Sequence, residues 1–243
     1  MARYAMVIDL RKCVGCDACT VACRTEWDVP IGHSRTWVKH TGIEGEFPDV
    51  LGSFFVGQCN HCDAPTCIDP CPTGATYQLE NGIVKVDPEV CIGCGLCVEA
   101  CPYDARYINP VTKKVDKCDF CEARLEEGLQ PACVVTCTAN AKFFGDLEDP
   151  NSIVYKKVYE EGAWRIENEN AAIGPNVYYL GTPEQLELVR EKFGPRKPRL
   201  ATPAQFLNKV VRPLIITMVG ATFLGQAFAF FRQLMKGEEP FDE

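Results

Sequence analysis

The stretch Cys91-Ile92-Gly93-Cys94-Gly95-Leu96-Cys97-Val98-Glu99-Ala100-Cys101-Pro102 places four thiols within eleven residues. The same spacing, C-x2-C-x2-C-x3-C, occurs earlier in the chain at Cys13, Cys16, Cys19 and Cys23. We call the earlier run group one and the later run group three. Repetition of this kind indicates one small unit that the chain uses more than once.

Two further groups are looser versions of the same pattern. Group two has a longer middle gap and consists of Cys59, Cys62, Cys67 and Cys71. Group four is opened by eleven residues and consists of Cys118, Cys121, Cys133 and Cys137. Together the groups use all 16 cysteines of a 243-residue chain, which is long enough to bury a core without disulfides. The cysteines are therefore interpreted as metal ligands, since thiols at x2 spacing are poorly placed to pair.

The metal is predicted to be iron in cubane clusters. The spacing C-x2-C-x2-C-x3-C-P is typical of bacterial ferredoxins, in which three cysteines bind one cluster and the fourth reaches a second. Structural zinc is the alternative, but zinc sites usually join two C-x2-C pairs separated by a dozen or more residues. Only group four fits that description. Sixteen ligands taken four at a time predict four [4Fe-4S] clusters, and no group carries the substitution expected of a [3Fe-4S] site.

The rest of the composition excludes several functions. Thirty-three acidic against 25 basic residues give a net charge of −8, which argues against nucleic-acid binding. No nucleophile–base pair, phosphate loop or dinucleotide fingerprint is present, so a non-catalytic role is predicted. His61, inside group two, is expected to pack behind the ligands rather than to bind iron. Lys12, Lys114 and Lys117 lie close enough to cysteines to tune potentials, but are expected to be solvated.

The segments between the groups predict small hairpins, and hence an α+β fold. Residues 76–79 and 83–86 flank an Asn-Gly turn. Residues 105–108 and 141–144 follow their own cysteine groups and are expected to form equivalent strands. Residues 151–180 carry no assignable motif.

A helix is predicted after Thr182, which would cap it with Pro183 in the first turn and Gln185 three residues on. Leu186, Val189 and Phe193 would form its apolar face. Gly194-Pro195 would end it, and a basic linker over residues 195–202 would follow.

The segment 214–231 predicts a single transmembrane helix that starts near Pro203. It contains no charge, and its only polar members are Thr217, Thr222 and Gln226. Eighteen residues at about 1.5 Å each span roughly 27 Å, close to a hydrocarbon core of about 30 Å. A buried core helix, the alternative, would normally show one polar face. Small residues at Ala221, Gly225 and Ala229 form a strip on which another helix could pack.

The four-group pattern resembles the iron–sulfur (beta) electron-transfer subunits of the dimethyl sulfoxide reductase, formate dehydrogenase and polysulfide reductase superfamily. Related subunits serve thiosulfate and tetrathionate reductases and some membrane hydrogenases. The resemblance is close over residues 5–146. It includes Cys59-Asn60-His61-Cys62-Asp63-Ala64-Pro65 and Cys71-Pro72-Thr73-Gly74-Ala75, and extends to Gly174-Pro175-Asn176-Val177-Tyr178-Tyr179-Leu180.

The resemblance implies how the cysteines are shared. Groups one and four would form one ferredoxin-like two-cluster unit, and groups two and three the other. Cluster 1 would be bound by Cys13, Cys16, Cys19 and Cys137, and cluster 2 by Cys118, Cys121, Cys133 and Cys23. Cluster 3 would be bound by Cys59, Cys62, Cys67 and Cys101, and cluster 4 by Cys91, Cys94, Cys97 and Cys71. Spacing alone favours joining groups two and three, but leaves pairing one with two and three with four open.

The resemblance also implies a four-cluster electron wire. Its partners would be a molybdopterin catalytic subunit (molybdenum or tungsten) near cluster 1 and an integral membrane subunit binding quinone or haem near cluster 4. A nickel-iron hydrogenase subunit as the catalytic partner is one alternative, and a free-standing polyferredoxin is another. The expected regions are residues 1–146 for the clusters, 147–202 for a cysteine-free extension and 203–243 for a membrane anchor in contact with lipid.

The predicted location is the cytoplasmic membrane of a prokaryote. Residues 1–10 show no apolar signal region and no twin arginine, so no export signal is expected there. Basic residues are more numerous before the apolar segment than after it, with Arg196, Lys197, Arg199, Lys209 and Arg212 before it and Arg232 and Lys236 after it. Taken literally, the positive-inside rule places the cluster domain in the cytoplasm, but long domains translocate largely regardless of charge. We expect the extracytoplasmic face, reached in a folded state with a partner's signal.

Overall fold

The chain divides into two units, residues 1–199 and residues 200–243. The computed structural model describes residues 2–167, 173–196 and 212–236. All sixteen cysteines lie in the first unit. The second unit is described over a single helix.

A four-stranded sheet organises the first unit around strand β1 (Tyr4–Asp9). β1 pairs antiparallel with β10 (Lys142–Asp146) and parallel with β12 (Val177–Leu180), and β11 (Trp164–Arg165) lies antiparallel at the edge beyond β12. Because β1 has a neighbour on each side and cover on each face, residues 5–9 are all buried. The sheet therefore joins the first residues of the unit to the cysteine-free extension.

The two faces of β1 belong to different parts of the core. Met6 and Ile8 point into the main core, which also contains Ile83, Phe120, Phe144 and Val189. Ala5 and Val7 point into a smaller cluster with Leu147, Val154 and Leu180. This alternation is the period-two pattern of a strand buried on both sides.

Four two-stranded hairpins supply the remaining strands. They pair β2 (Thr36–His40) with β5 (Phe54–Gln58), β3 (Glu44–Glu46) with β4 (Asp49–Leu51), β6 (Thr76–Gln78) with β7 (Val84–Val86), and β8 (Tyr107–Ile108) with β9 (Val115–Asp116). The predicted hairpin at residues 76–86 is confirmed. The strand predicted at 105–108 forms only from Tyr107, and the one predicted at 141–144 is β10.

Groups two, three and four end in the same turn. The third residue after the last cysteine of each group has a positive φ, at Gly74, Asp104 and Asn140. The fourth is a buried alanine, at Ala75, Ala105 and Ala141. The fifth, at Thr76, Arg106 and Lys142, is buried as well. The repeated turn thus directs one polar side chain per group into the interior.

Short helices follow the cysteine loops. They are α1 (Ala18–Glu26), α2 (Leu96–Glu99), α3 (Glu122–Glu126) and α4 (Ala132–Val135). In the extension, α5 (Ile153–Tyr155) continues into a π-helical turn, Lys156–Glu160.

Helix α6 (Pro183–Phe193) forms where the capping signals predict it. The Gln185 N–H donates to Thr182 Oγ1 and the Thr182 N–H donates to Gln185 Oε1, at 3.3 and 3.1 Å. Val189 is buried, Leu186 and Phe193 pack against the main core, and Leu188, which the predicted face omitted, is buried too.

The second unit contains α7 (Arg212–Lys236). Within it, Leu214–Arg232 has a mean hydropathy of 1.9, and no part of this window is buried. The length and composition make α7 a candidate membrane span. The predicted basic linker from Lys197 onward and the predicted helix start near Pro203 lie outside the described residues, as do Arg199 and Lys209.

We predict that Thr182→Ala will destabilise the first unit by about 1 kcal/mol, because it removes the side-chain acceptor for an otherwise unpaired helical N–H. Chemical unfolding followed by the loss of cluster absorbance measures the effect. Thr182→Ser, which keeps the hydroxyl, is the matched control. Equal stability of the alanine and serine variants would show that the capping box does not stabilise α6.

Candidate metal centres

The cysteine loops share one backbone feature. In each group the residue directly before the second cysteine has a positive φ, namely Gly15, His61, Gly93 and Phe120. A residue in the left-handed backbone conformation turns successive backbone N–H groups toward one side of the loop. The resulting concavity is suited to anions and occurs in many iron–sulfur sites. The four loops are therefore equivalent in local structure despite their different sequences.

The x3 spacing separates the third and fourth cysteines of a group by one helical turn. Cys19 and Cys23 both lie on α1, and α4 similarly carries Cys133 just before Cys137. Positions i and i+4 are neighbours on one helix face, about 5–6 Å apart. Two such thiols are close but distinct, so they can serve neighbouring sites.

The thiols gather into sets drawn from different groups. Burial raises the pKa of Cys13, and the neighbouring thiolates of Cys19, Cys137 and Cys16 raise it further. The pKa of Cys118 is raised by burial and by the thiolates of Cys23, Cys133 and Cys121. The pKa of Cys62 is raised by burial and by the thiolates of Cys59, Cys101 and Cys67. Cys71, Cys91 and Cys97 share one apolar cluster, which also contains Cys67.

These proximities are compatible with the ligand sets that the resemblance implies. Cys13 lies near enough to Cys137 to interact with it electrostatically, as Cys62 does with Cys101, so thiols of groups one and four and of groups two and three are neighbours. We call the sets 1 to 4, numbered as the implied clusters. Which thiols bind iron stays a prediction.

The donor chemistry fits iron–sulfur clusters. Burial, with neighbouring thiolates adding to it, raises the pKa of Cys23 to about 12. Burial likewise raises the pKa of Cys67 to about 12, although Arg106 opposes the change. Such thiols lose their protons when a cationic metal centre stabilises the thiolate. Across the described ranges, no three His, Cys, Asp or Glu side chains converge on a single point as a one-ion site requires.

Several donors point at cysteine sulfur. Trp27 Nε1–H donates to Cys121 Sγ at 3.3 Å, and the Ala141 N–H donates to Cys137 Sγ at 3.2 Å. Arg106 Nη2 donates to Cys67 Sγ at 2.9 Å. Hydrogen bonds to the ligand sulfurs are among the factors that set cluster potentials.

His61 is fully buried behind its loop, in agreement with the supporting role expected for it. Its Nδ1 accepts the Val84 N–H at 3.0 Å, and its ring stacks on Phe120 with the centroids 3.8 Å apart. Burial, with Lys117 and Arg106 nearby, holds the pKa of His61 well below its usual value. The imidazole is therefore neutral, with its proton on Nε2.

Lys117 was expected to be solvated, and this expectation was wrong. This side chain is buried, and its Nζ donates to the carbonyl oxygens of Val84 and Cys118. Lys12 is exposed, as expected, while the partly buried Lys114 donates to the Cys91 carbonyl. Sequence reasoning also missed Arg106 and Lys142. Their equal offset, five residues after the last cysteine of groups three and four, was the signal that could have found them.

The cysteine-free extension holds the group-two loop in place. Asn176 is fully buried, and its Nδ2 donates to the His61 carbonyl and to Asp63 Oδ1, each at 2.8 Å. Its backbone N–H donates to the Asn60 carbonyl at 2.7 Å. Residues after the last cysteine therefore contribute directly to the shape of a cysteine loop.

The fold and the sixteen thiols define an iron–sulfur protein of the ferredoxin type. Residues 50–147 match the family described as 4Fe-4S dicluster domain, and residues 11–26 match 4Fe-4S binding domain. Its cofactors are [4Fe-4S] clusters, and the cysteine count accommodates four.

Similar known proteins show which kind of iron–sulfur protein this chain resembles. The chain is 46% identical to a tetrathionate reductase subunit of Salmonella typhimurium over 181 residues, 74% of this chain and 72% of the relative. It is 44% identical to protein NrfC of Escherichia coli over 194 residues, 79% and 82% of the two chains. The corresponding tetrathionate reductase subunit of Archaeoglobus fulgidus is 46% identical over 60% of this chain and 68% of its own.

The chain belongs to the family of iron–sulfur electron-transfer subunits that contains these relatives, and the resemblance to the polysulfide reductase type of subunit is confirmed. Its function is electron transfer through [4Fe-4S] clusters.

We predict that Trp27→Phe will lower the potential of the cluster bound by Cys121. The phenyl ring keeps the stacking position beneath Arg35, but the N–H donor to sulfur is lost, and reduction adds negative charge that this donor stabilises. The expected change corresponds to about 1 kcal/mol, the net value of one hydrogen bond. Redox titration followed by EPR measures it, with Trp164→Phe as the control. Unaltered potentials in the Trp27 variant would contradict the prediction.

Proposed function

We propose that the four cysteine sets bind four clusters that conduct electrons in the order 1, 2, 3, 4. The exposure of the thiols carries this proposal. All sixteen cysteines lie in the described part of the chain, and of these only Cys16 and Cys94 are exposed. Cys16 belongs to set 1 and Cys94 to set 4, whereas sets 2 and 3 have no exposed member. The two end clusters of such a wire are those that must exchange electrons with other proteins.

Shared elements link consecutive sets. Helix α1 carries Cys19 of set 1 and Cys23 of set 2 and packs beside α4. Helix α2 carries Cys97 of set 4 and is followed by Cys101 of set 3. The His61–Phe120 stack joins the loops of sets 3 and 2. These links support two ferredoxin-like units, one holding clusters 1 and 2 and the other clusters 3 and 4, that meet at the stack.

The chain's own residues hold the clusters, keep water away and supply charge. Each cluster, when bound, accepts and gives up one electron at a time. The thiols of set 2 are all buried, and the main core includes Cys118 and Cys133 of this set and Cys59 of set 3. Burial fixes the ligands and limits the solvent reorganisation that accompanies each electron step. No residue acts on a substrate, and the chain works as a non-catalytic subunit.

The two ends present similar surfaces for partners. Val14 follows the first cysteine of group one and is 60% exposed, and Ile92 follows the first cysteine of group three and is 63% exposed. We assign the Cys16 end to a molybdopterin catalytic subunit and the Cys94 end to an integral membrane subunit that binds quinone or haem. The relatives named as subunits of tetrathionate reductase support this assignment over a hydrogenase or a free polyferredoxin.

Helix α7 would anchor this assembly in the cytoplasmic membrane of a prokaryote, with the cluster region on the extracytoplasmic face. Its side chains at Leu214, Phe223, Leu224 and Phe230 are all exposed. The hydroxyl of Thr222 donates to the Met218 carbonyl, which satisfies this polar group within the helix. Residues 1–146, 147–202 and 203–243 would then serve as cluster region, extension and anchor.

The cluster assignment predicts close to 16 irons per chain, about four for each cluster. Metal analysis and EPR of the dithionite-reduced protein test it. Iron well below this number in protein purified without oxygen contradicts four clusters. Stoichiometric zinc without iron contradicts the whole proposal.

In cells that lack the integral membrane subunit, deletion of residues 203–243 should leave the iron content unchanged but release the chain and its catalytic partner from membranes. Membrane fractionation in high salt measures the release. Metal analysis of the copurified catalytic subunit tests the identity of that partner: molybdenum or tungsten is expected, and nickel would indicate a hydrogenase. Deletion of residues 237–243 alone is the matched control and should leave the complex bound. If the chain lacking 203–243 stays on membranes from cells without the integral membrane subunit, the anchor assignment is wrong.

A further inference from the structure

Three basic side chains are buried among the cysteines. Arg106, Lys117 and Lys142 are each 4% exposed. Within the described ranges none of them forms an ion pair with a carboxylate, whereas Arg35 is paired with Asp116 and Asp119. A buried cation without a counter-ion is strongly disfavoured, so each of the three needs another source of negative charge. The thiolates are the anionic groups beside them.

Lys142 lies between sets 1 and 2. Its Nζ donates to Gln58 Oε1 at 2.9 Å. The thiols of Cys133 and Cys118 of set 2 and of Cys19 of set 1 are near enough to interact with it electrostatically.

Arg106 occupies the equivalent place between sets 3 and 4. Its Nη2 donates to Cys67 Sγ at 2.9 Å, and its Nη1 donates to Thr76 Oγ1 at 3.1 Å. It interacts electrostatically with Cys59 and Cys101 of set 3 and with Cys97 of set 4. The matching offsets of Arg106 and Lys142 from their cysteine groups make these two positions counterparts in the repeated turn.

Lys117 lies where the two halves of the wire meet. Its Nζ donates to the carbonyl of Cys118, a member of set 2, at 2.7 Å, and its charge acts on Cys67 of set 3. It is also close enough to His61 to influence the imidazole. Lys117 is thus the buried basic side chain at the junction of sets 2 and 3.

We propose that Lys142, Lys117 and Arg106 are junction cations, one between each consecutive pair of clusters, that raise the reduction potentials of both clusters they separate. The proposal rests on the assignment of the cysteine sets to clusters 1 to 4. Reduction adds one negative charge to a cluster, and a cation beside it stabilises the reduced form. Because each cation lies between two clusters, it stabilises the electron on either one and keeps the two potentials close together.

The test is an EPR-monitored redox titration of the full-length complex carrying Lys142→Met, Lys117→Met or Arg106→Gln. Each change removes one charge and keeps a similar side-chain volume. At a fixed ambient potential, the ratio of reduced to oxidised cluster should fall at least tenfold for the two clusters next to the lost cation. A tenfold change corresponds to about 59 mV for a one-electron couple. Lys142→Met should affect clusters 1 and 2, Lys117→Met clusters 2 and 3, and Arg106→Gln clusters 3 and 4.

One set of control variants keeps the positive charge, and a second set identifies the EPR signals of individual clusters. Lys142→Arg and Arg106→Lys retain the cation and an N–H donor, so any change in their potentials should stay well below that of the neutral variants. Cys16→Ser and Cys94→Ser alter the signals of clusters 1 and 4 and so identify them. If a neutral variant loses iron, Lys142→Gln or Arg106→Met replaces it at the same position.

The outcomes distinguish a failure of the junction-cation proposal from a failure of the cluster assignment. Four unchanged potentials in fully loaded neutral variants overturn the junction cations and leave the cluster assignment standing. Equal shifts in the charge-retaining and neutral variants also overturn them, because packing rather than charge would then set the potentials. A shift that falls on non-consecutive clusters, such as clusters 1 and 4 for Lys142→Met, instead contradicts the assignment of the cysteine sets.

Discussion

The whole molecule depends on one geometric constraint, the helical turn between the third and fourth cysteine of each group. That turn sets two thiols side by side on one helix face, as with Cys19 and Cys23 on α1, and allows them to serve different sites. On the proposed assignment, each group takes one ligand of its site from elsewhere in the chain. Cys13 of the first group lies near enough to Cys137 of the last to interact with it electrostatically. Closing the loop between them brings β10 beside β1 and builds the central sheet.

The features that the sequence predicts well are those determined by neighbouring residues. The cysteine groups, the hairpin around Gly82 and the capping box of Thr182 each depend on side chains within a few positions. Composition and length likewise suffice to recognise α7 as an apolar helix, because every residue of such a helix faces a similar environment. The sharing of cysteines between groups, which the family resemblance implies and spacing alone left open, stays a prediction.

The features that were missed depend on contacts between distant residues. β12 lies in a segment for which the sequence predicted no strand, yet it pairs with β1 and positions Asn176 against the His61 loop. Lys117 looked like a surface lysine because lysines usually are, and only the packing of Val84 and Cys118 around it shows otherwise. Arg106 and Lys142 carry a signal in their matching offsets, but its meaning depends on knowing that the turn before them points inward.

The residue before the second cysteine divides the four cysteine loops into two kinds. In groups one and three it is glycine, because a Cβ at Gly15 would meet the Phe54 ring and one at Gly93 would meet the Lys113 carbonyl, and both have a positive φ. In groups two and four it is His61 and Phe120, which accept the same backbone conformation and stack on each other. The thin loops leave Cys16 and Cys94 at the surface, whereas the aromatic pair fills the interior between sets 2 and 3. On the proposed order of the clusters, this backbone position serves exposure at the two ends and exclusion of water at the centre.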